Sequence, residues 1–190
     1  MYKEILRRII AIISQPRRTW HLLAKRKENN EEFLASFIYP LIGLMTVVAF
    51  LGILFTRKEF DVELALKSSI KTLVSSFGGF FLAAYILNEL WQSWFNQKKD
   101  MQLWQQFVGY ASSLMFALNI VLMLLPEFFF LRIFIVYTIY IVWEGADEYL
   151  GLDEKVRLKF VLTATAIILL MPTVIEFILA LLMPGLSFDA

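Results

Sequence analysis

The sequence contains no cysteine, one histidine and little charge, and each shortage removes a class of function. Without cysteine there is no disulfide framework, no thiolate zinc site and no cysteine nucleophile. A lone histidine, His21, cannot build a histidine-based metal site. Charged residues make up 18% of the 190 positions, against about a quarter in soluble domains. The net charge of +1 argues against a nucleic-acid binder or an acidic scavenger. No Ser/His/Asp set, H-E-x-x-H or phosphate-binding loop occurs, so neither an enzyme nor a cofactor is expected. A signal peptide is not expected either, because the apolar stretch Ile9 to Ile13 is short and is followed at once by Arg17 and Arg18.

What is present is apolar residues, at 59%, in long runs between clusters of charge. That clustering is the signature of a membrane protein. Five runs stand out, and the chain is expected to be an all-α integral membrane protein with five transmembrane helices, at about 33–56, 71–90, 105–125, 128–143 and 160–183. The first is free of charge from Phe33 to Thr56, enough at about 1.5 Å per residue to cross about 30 Å of hydrocarbon. Lys71 extends the second, its stem reaching back to the interface. Pro126 and Glu127 make a tight turn between the third and fourth. Arg132 interrupts the fourth, while Pro172 and Glu176 lie inside the fifth. Pro40 and Pro172 are expected to kink their helices. Residues 184–190 would form a C-terminal tail.

Residues 1–32 form a basic amphipathic segment. Ile5, Leu6, Ile9, Ile10, Ile12 and Ile13 fall near one helical face, with Lys3, Glu4, Arg7 and Arg8 largely opposite. Pro16 starts a second helix, which sets Trp20, Leu22 and Leu23 against Arg17, Arg18, Lys25, Arg26 and Lys27. Both pieces read as helices lying in the headgroup layer of an anionic inner leaflet. A soluble regulatory tail is the alternative.

Basic residues set the orientation. With the N-terminus inside, thirteen of the eighteen lysines and arginines fall on inner segments, leaving Arg57, Lys58, Lys67, Lys71 and Arg132 outside. Trp20, Trp91, Trp94, Trp104 and Trp143 all fall near the inner ends, where indole rings favour the interface. Five spans then put Ala190 outside. Two small-residue stripes, Ser75-Gly79-Ala83 and Gly109-Ser113-Ala117, mark close helix contacts within or between chains. Homo-oligomers or other membrane proteins are therefore candidate partners.

Ionisable groups at membrane depth are functional candidates. Arg132 and Glu176 have matching depths and are expected to pair, as a structural bridge or, with Asn119, as part of an ion or proton path. Glu144, Asp147 and Glu148 lie on one face at the inner end of the fourth helix. Such a triad meets an unfavourable helix dipole. It therefore calls for a cationic partner, either the basic inner segments or a hard cation.

The order of features resembles the Yip family, membrane proteins named for interacting with Ypt/Rab GTPases, in its compact bacterial form. The residues that carry the likeness are Pro16-Arg17-Arg18-Thr19-Trp20, the early Pro40, and Phe107-Val108-Gly109-Tyr110-Ala111 opening the third span. The tight turn between spans three and four, and Gly151-Leu152 before the fifth, complete it. The resemblance implies five spans, a cytoplasmic N-terminus and a C-terminus on the far side. In eukaryotic relatives it also implies vesicle traffic and Rab contact through a long N-terminal region. Only about 32 residues precede the first span here, so Rab binding is not carried over. The expected home is a bacterial cytoplasmic membrane. The expected role is that of a membrane organiser, scaffold or trafficking-related factor acting through helix packing, with a small transporter or channel subunit, its polar path near Asn119, Arg132 and Glu176, as the alternative.

Overall fold

The computed structural model describes residues 2–26, 28–56 and 61–182, and no strand occurs among them. Lys27, the Arg57-Lys58 pair and the expected tail at 184–190 lie outside the described residues. Helix α1 runs Tyr2–Ser14 and α2 runs Pro16–Arg26, with the proline at the first helical position, where its missing N–H costs nothing. A one-turn helix, α3 (Asn30–Phe33), is capped by Asn29, whose side chain accepts the Glu31 N–H at 3.0 Å. A π-helical turn over Leu34–Ile38 joins it to α4 (Tyr39–Thr56). In that turn the Tyr39 N–H donates to the Leu34 carbonyl. The wide turn sits directly before Pro40, which has no N–H to continue an ordinary ladder.

Helix α5 (Val62–Phe95) is longer than its apolar core because Asp61 caps its start and Asn96, in a left-handed conformation, ends it. The expected third span is broken. Helices α6 (Met101–Ala111) and α7 (Ser113–Leu124) meet at Ser112 with a bend of 43°. The fourth begins as a 3-10 helix, Pro126–Tyr137, and becomes α-helical in α8 (Thr138–Glu148). Twelve 3-10 residues, at about 2.0 Å each, reach about 24 Å, further than the same residues in an α-helix. Helix α9 (Glu154–Leu182) runs on through Pro172 as one element. Before it, Gly151 holds a φ of +65° that L side chains rarely adopt, and the backbone turns there so that Leu152 is buried.

Four of these helices are long and apolar enough to cross a membrane: Asn30–Phe55, Val62–Phe95, Pro126–Glu148 and Glu154–Leu182. Counted as one span, the bent α6–α7 pair brings the number to five. Helix α5 is the hub, packed along α9, α4 and α6. The small-residue stripe on α5 explains the first of these contacts. A Cβ on Gly79 would stand 2.7 Å from the Pro172 backbone, so only glycine lets the two chains approach this closely. The amphipathic N-terminal pieces are part of the same core. Ile5, Ile9, Ile12 and Trp20 are buried, α1 against α6 and α7, and α2 against α8.

Candidate functional site

The chemistry of this bundle gathers at the end where α1 and α2 meet the start of α6 and the end of α8. Helix α1 turns Arg8 inward, onto the face of Ile5, Ile9 and Ile12, leaving its side chain 13% exposed. There the guanidinium stands 2.9 Å from the Glu28 carboxylate, whose side chain is only 3% exposed. Arg8 also donates to the Tyr110 hydroxyl at 3.1 Å, and that hydroxyl donates to the second Glu28 oxygen at 3.0 Å, closing a triangle. The Phe37 ring lies 5.7 Å from the guanidinium and completes the desolvation. Gln106 extends the network by donating to the Glu28 backbone carbonyl at 2.8 Å while accepting from the Tyr149 hydroxyl at 3.0 Å. Burial pushes the Tyr149 phenol up to about 12, so it serves as a neutral donor. One ion pair, Arg8 to Glu28, and three hydrogen bonds, Arg8 to Tyr110, Tyr110 to Glu28 and Gln106 to the Glu28 carbonyl, thus tie α1, the loop before α3 and α6 into one unit.

Trp20 is the second fixture of this end. Expected at the membrane interface, it is instead wholly buried, stacked on Phe107 at 5.2 Å and donating its indole N–H to the Ile141 carbonyl at 2.9 Å. Gly145 makes room for it, since a Cβ there would meet the Trp20 and Phe107 rings at 2.8 Å. Trp104 is also buried, edge-on to Trp91 at 5.4 Å. The interior at this end is large enough to absorb indoles that hydropathy alone assigns to the headgroups.

The acidic triad divides. Glu148 takes Arg17 at 2.8 Å and His21 at 2.9 Å. The bond and charge of Glu148 hold the Arg17 guanidinium above its ordinary pKa. Asp147 takes Arg157, which also donates to the Leu152 carbonyl at 2.8 Å and lies against the Trp143 ring. Glu144 has no ion-pair partner among the described residues and lines a groove beside Tyr140 and Trp143. Among the described residues no group of three or more metal-ligating side chains occurs.

The intramembrane residues are not brought together as expected. Glu176 stands 3.2 Å from Lys71, because α9 packs along α5. Arg132 projects from the exposed 3-10 helix, with no ion pair among the described residues. Asn119 is half-buried on α7. Of the basic residues read as facing lipid, Arg8 is the exception, being internal. Arg7, Arg18, Lys25 and Arg26 are exposed, Arg7 beside Glu4 at 3.7 Å and Arg18 bonded to Gln15 at 3.3 Å. Sequence alone places Arg8 toward lipid and does not single out Glu28. The signal was in the spacing: Arg8 lies three residues after Ile5 and four before Ile12, on the stripe those isoleucines bury.

Apolar helices of spanning length with a packed polar and aromatic end define a multi-pass α-helical membrane protein. The family model that matches is the Yip1 domain, over residues 10–175. The chain belongs to the Yip1 domain family. No curated protein and no solved structure matches it.

Proposed function

We propose that this protein is a non-enzymatic membrane organiser or scaffold, with residues 1–32 on the cytoplasmic face, a 33–183 membrane domain and an external tail. The observation that carries the reading is the docking of α1 and α2. Their buried stripe belongs to the bundle, while Leu6, Ile10 and Leu22 stay exposed beside Arg7, Arg18, Lys25 and Arg26. That leaves a rigid basic and apolar surface suited to an anionic leaflet or to another membrane protein. The pairing of Glu176 with Lys71 weighs against the transporter reading, which needs Asn119, Arg132 and Glu176 along one polar path.

The absence of native cysteine makes topology simple to test. Single cysteines at Ala24 and Ser187 should label from opposite sides of right-side-out vesicles. Labelling from the same side refutes the arrangement. The purified chain in sealed liposomes should carry no ion or solute flux. A flux abolished by Glu176→Gln would replace the scaffold with a transporter.

A further inference from the structure

Two cavities adjoin at Tyr137 and Tyr140. The first, about 530 Å³, is polar and is lined by Arg17, Arg18, His21 and Glu148 at the α1–α2 corner. The second, about 620 Å³, runs along the membrane-facing side of the 3-10 helix and α8, past Ile133, Phe134, Val136 and Ile139 to Trp143 and Glu144. The Tyr137 hydroxyl donates to the Ile13 carbonyl at 3.0 Å and fixes the ring between them. Both are open on the surface, and an apolar groove that ends in a polar hollow has the shape of an acyl chain joined to a headgroup.

The charges of the chamber specify the headgroup. Arg18 makes no ion pair among the described residues, its guanidinium reaching only the Gln15 amide oxygen at 3.3 Å. Arg17 gives its Nε to Glu148 at 2.8 Å, leaving its terminal nitrogens for another acceptor. These are phosphate-binding donors. Glu144, on the same wall as Tyr140, is hydrogen-bonded to that residue's hydroxyl and feels the charge of Arg17, but has no ion-pair partner among the described residues. An anionic headgroup would satisfy the arginines and leave Glu144 facing negative charge. A headgroup with both a phosphate and a primary ammonium satisfies each, the ammonium donating to Glu144 and lying against the Tyr140 ring.

We infer that the joined cavities hold one phospholipid with a phosphoethanolamine headgroup, its phosphate on Arg17 and Arg18, its ammonium at Glu144, and an acyl chain along Ile133 and Ile139. The site shares Arg18 with the basic surface of the scaffold reading, but its lipid preference also needs Glu144 and the groove past Ile133, which that reading does not use.

The test is lipid retention. The full chain is purified from nanodiscs holding equal phosphatidylethanolamine, phosphatidylcholine and phosphatidylglycerol of matched chains, and bound lipid is counted by native mass spectrometry. One phosphatidylethanolamine should remain, enriched about tenfold over the other two, the scale of a single charge-assisted bond. Arg18→Gln and Glu144→Gln should each remove that preference. Ile133→Trp, at a position 72% exposed and so outside the core, should fill the groove and lower retention of every lipid. Arg7→Gln, outside both cavities, should change nothing. Equal retention of phosphatidylglycerol or phosphatidylcholine overturns the assignment. So does full retention in Ile133→Trp with unchanged melting, or an equal loss in Arg7→Gln.

Discussion

Replacing Arg8 with methionine tests the interior most sharply. The substitution keeps the length and apolar stem of the side chain and removes its charge, leaving the Glu28 carboxylate, 3% exposed, with Tyr110 as its remaining side-chain donor. Removing one member of a buried pair costs about 3–5 kcal/mol, because the survivor stays desolvated and uncompensated. For a chain of this size that corresponds to a fall in melting temperature of roughly 6–20 °C. The double variant Arg8→Met/Glu28→Leu removes both charges and should recover most of the loss. Arg8→Lys should fall between, since a compact ammonium can reach Glu28 but cannot also span to Tyr110. The assay is thermal unfolding in a mild detergent, followed by helical signal and by near-ultraviolet signal from the adjoining Tyr110 and Trp20. If Arg8→Met melts with the wild type, or if the double variant is as weak as the single, the buried-pair argument is wrong.

Gly79→Val should destabilise the α5–α9 contact by about 1–3 kcal/mol or more, since the new Cβ meets backbone that cannot yield. Gly43→Ala, with nothing within 4 Å, should instead gain up to about 1 kcal/mol in the same melt. A double-mutant cycle between Lys71 and Glu176 should show coupling of about 1 kcal/mol, and one between Arg132 and Glu176 should show coupling near zero. The reverse result would restore the pairing read from depth alone. Trp20→Ala should cost about 3–5 kcal/mol and quench the aromatic signal of the core, whereas Trp94→Ala, over which Lys159 lies at 4.6 Å, should cost under about 1 kcal/mol.

What could be read from the residues was whatever depends on solvent alone. Long charge-free runs had to be helices in lipid, and the described residues of these runs are helical apart from Ser112 and Leu125. What depends on neighbours could not be read. Depth made Arg132 as good a partner for Glu176 as Lys71, and only the placement of α9 along α5 decides for Lys71. The break at Ser112 leaves no trace in hydropathy, because Ser112 and Ser113 are as compatible with a continuous span as with a bend. The 3-10 course of Pro126–Tyr137 is equally silent, since a uniformly apolar run carries no period. Arg8 is a different case: its charge argues for the surface, while its spacing with Ile5 and Ile12 and the acidic partner at Glu28 place it inward.

The N-terminal helices belong to the domain and are not an appendage, and three independent features converge on this. The family match begins at residue 10, inside α1, and so includes all of α2. Gly145 on α8 has no Cβ at the one place where Trp20 and Phe107 would collide with it, so the sequence of α8 presupposes the presence of α2. The polar groups agree, since Tyr137 donates to Ile13, Trp20 to Ile141 and Arg8 to Tyr110, each across more than 100 residues of chain. Away from the α1–α2 end, Lys71 on α5 pairs with Glu176 on α9. There Phe129, Ile133, Phe177 and Leu182 are left exposed, as lipid contact allows. The long-range polar ties described here therefore gather at the end where α1 and α2 dock. An element that must present a fixed surface to partners is best built at such an end, and that is where the exposed basic residues of α1 and α2 lie.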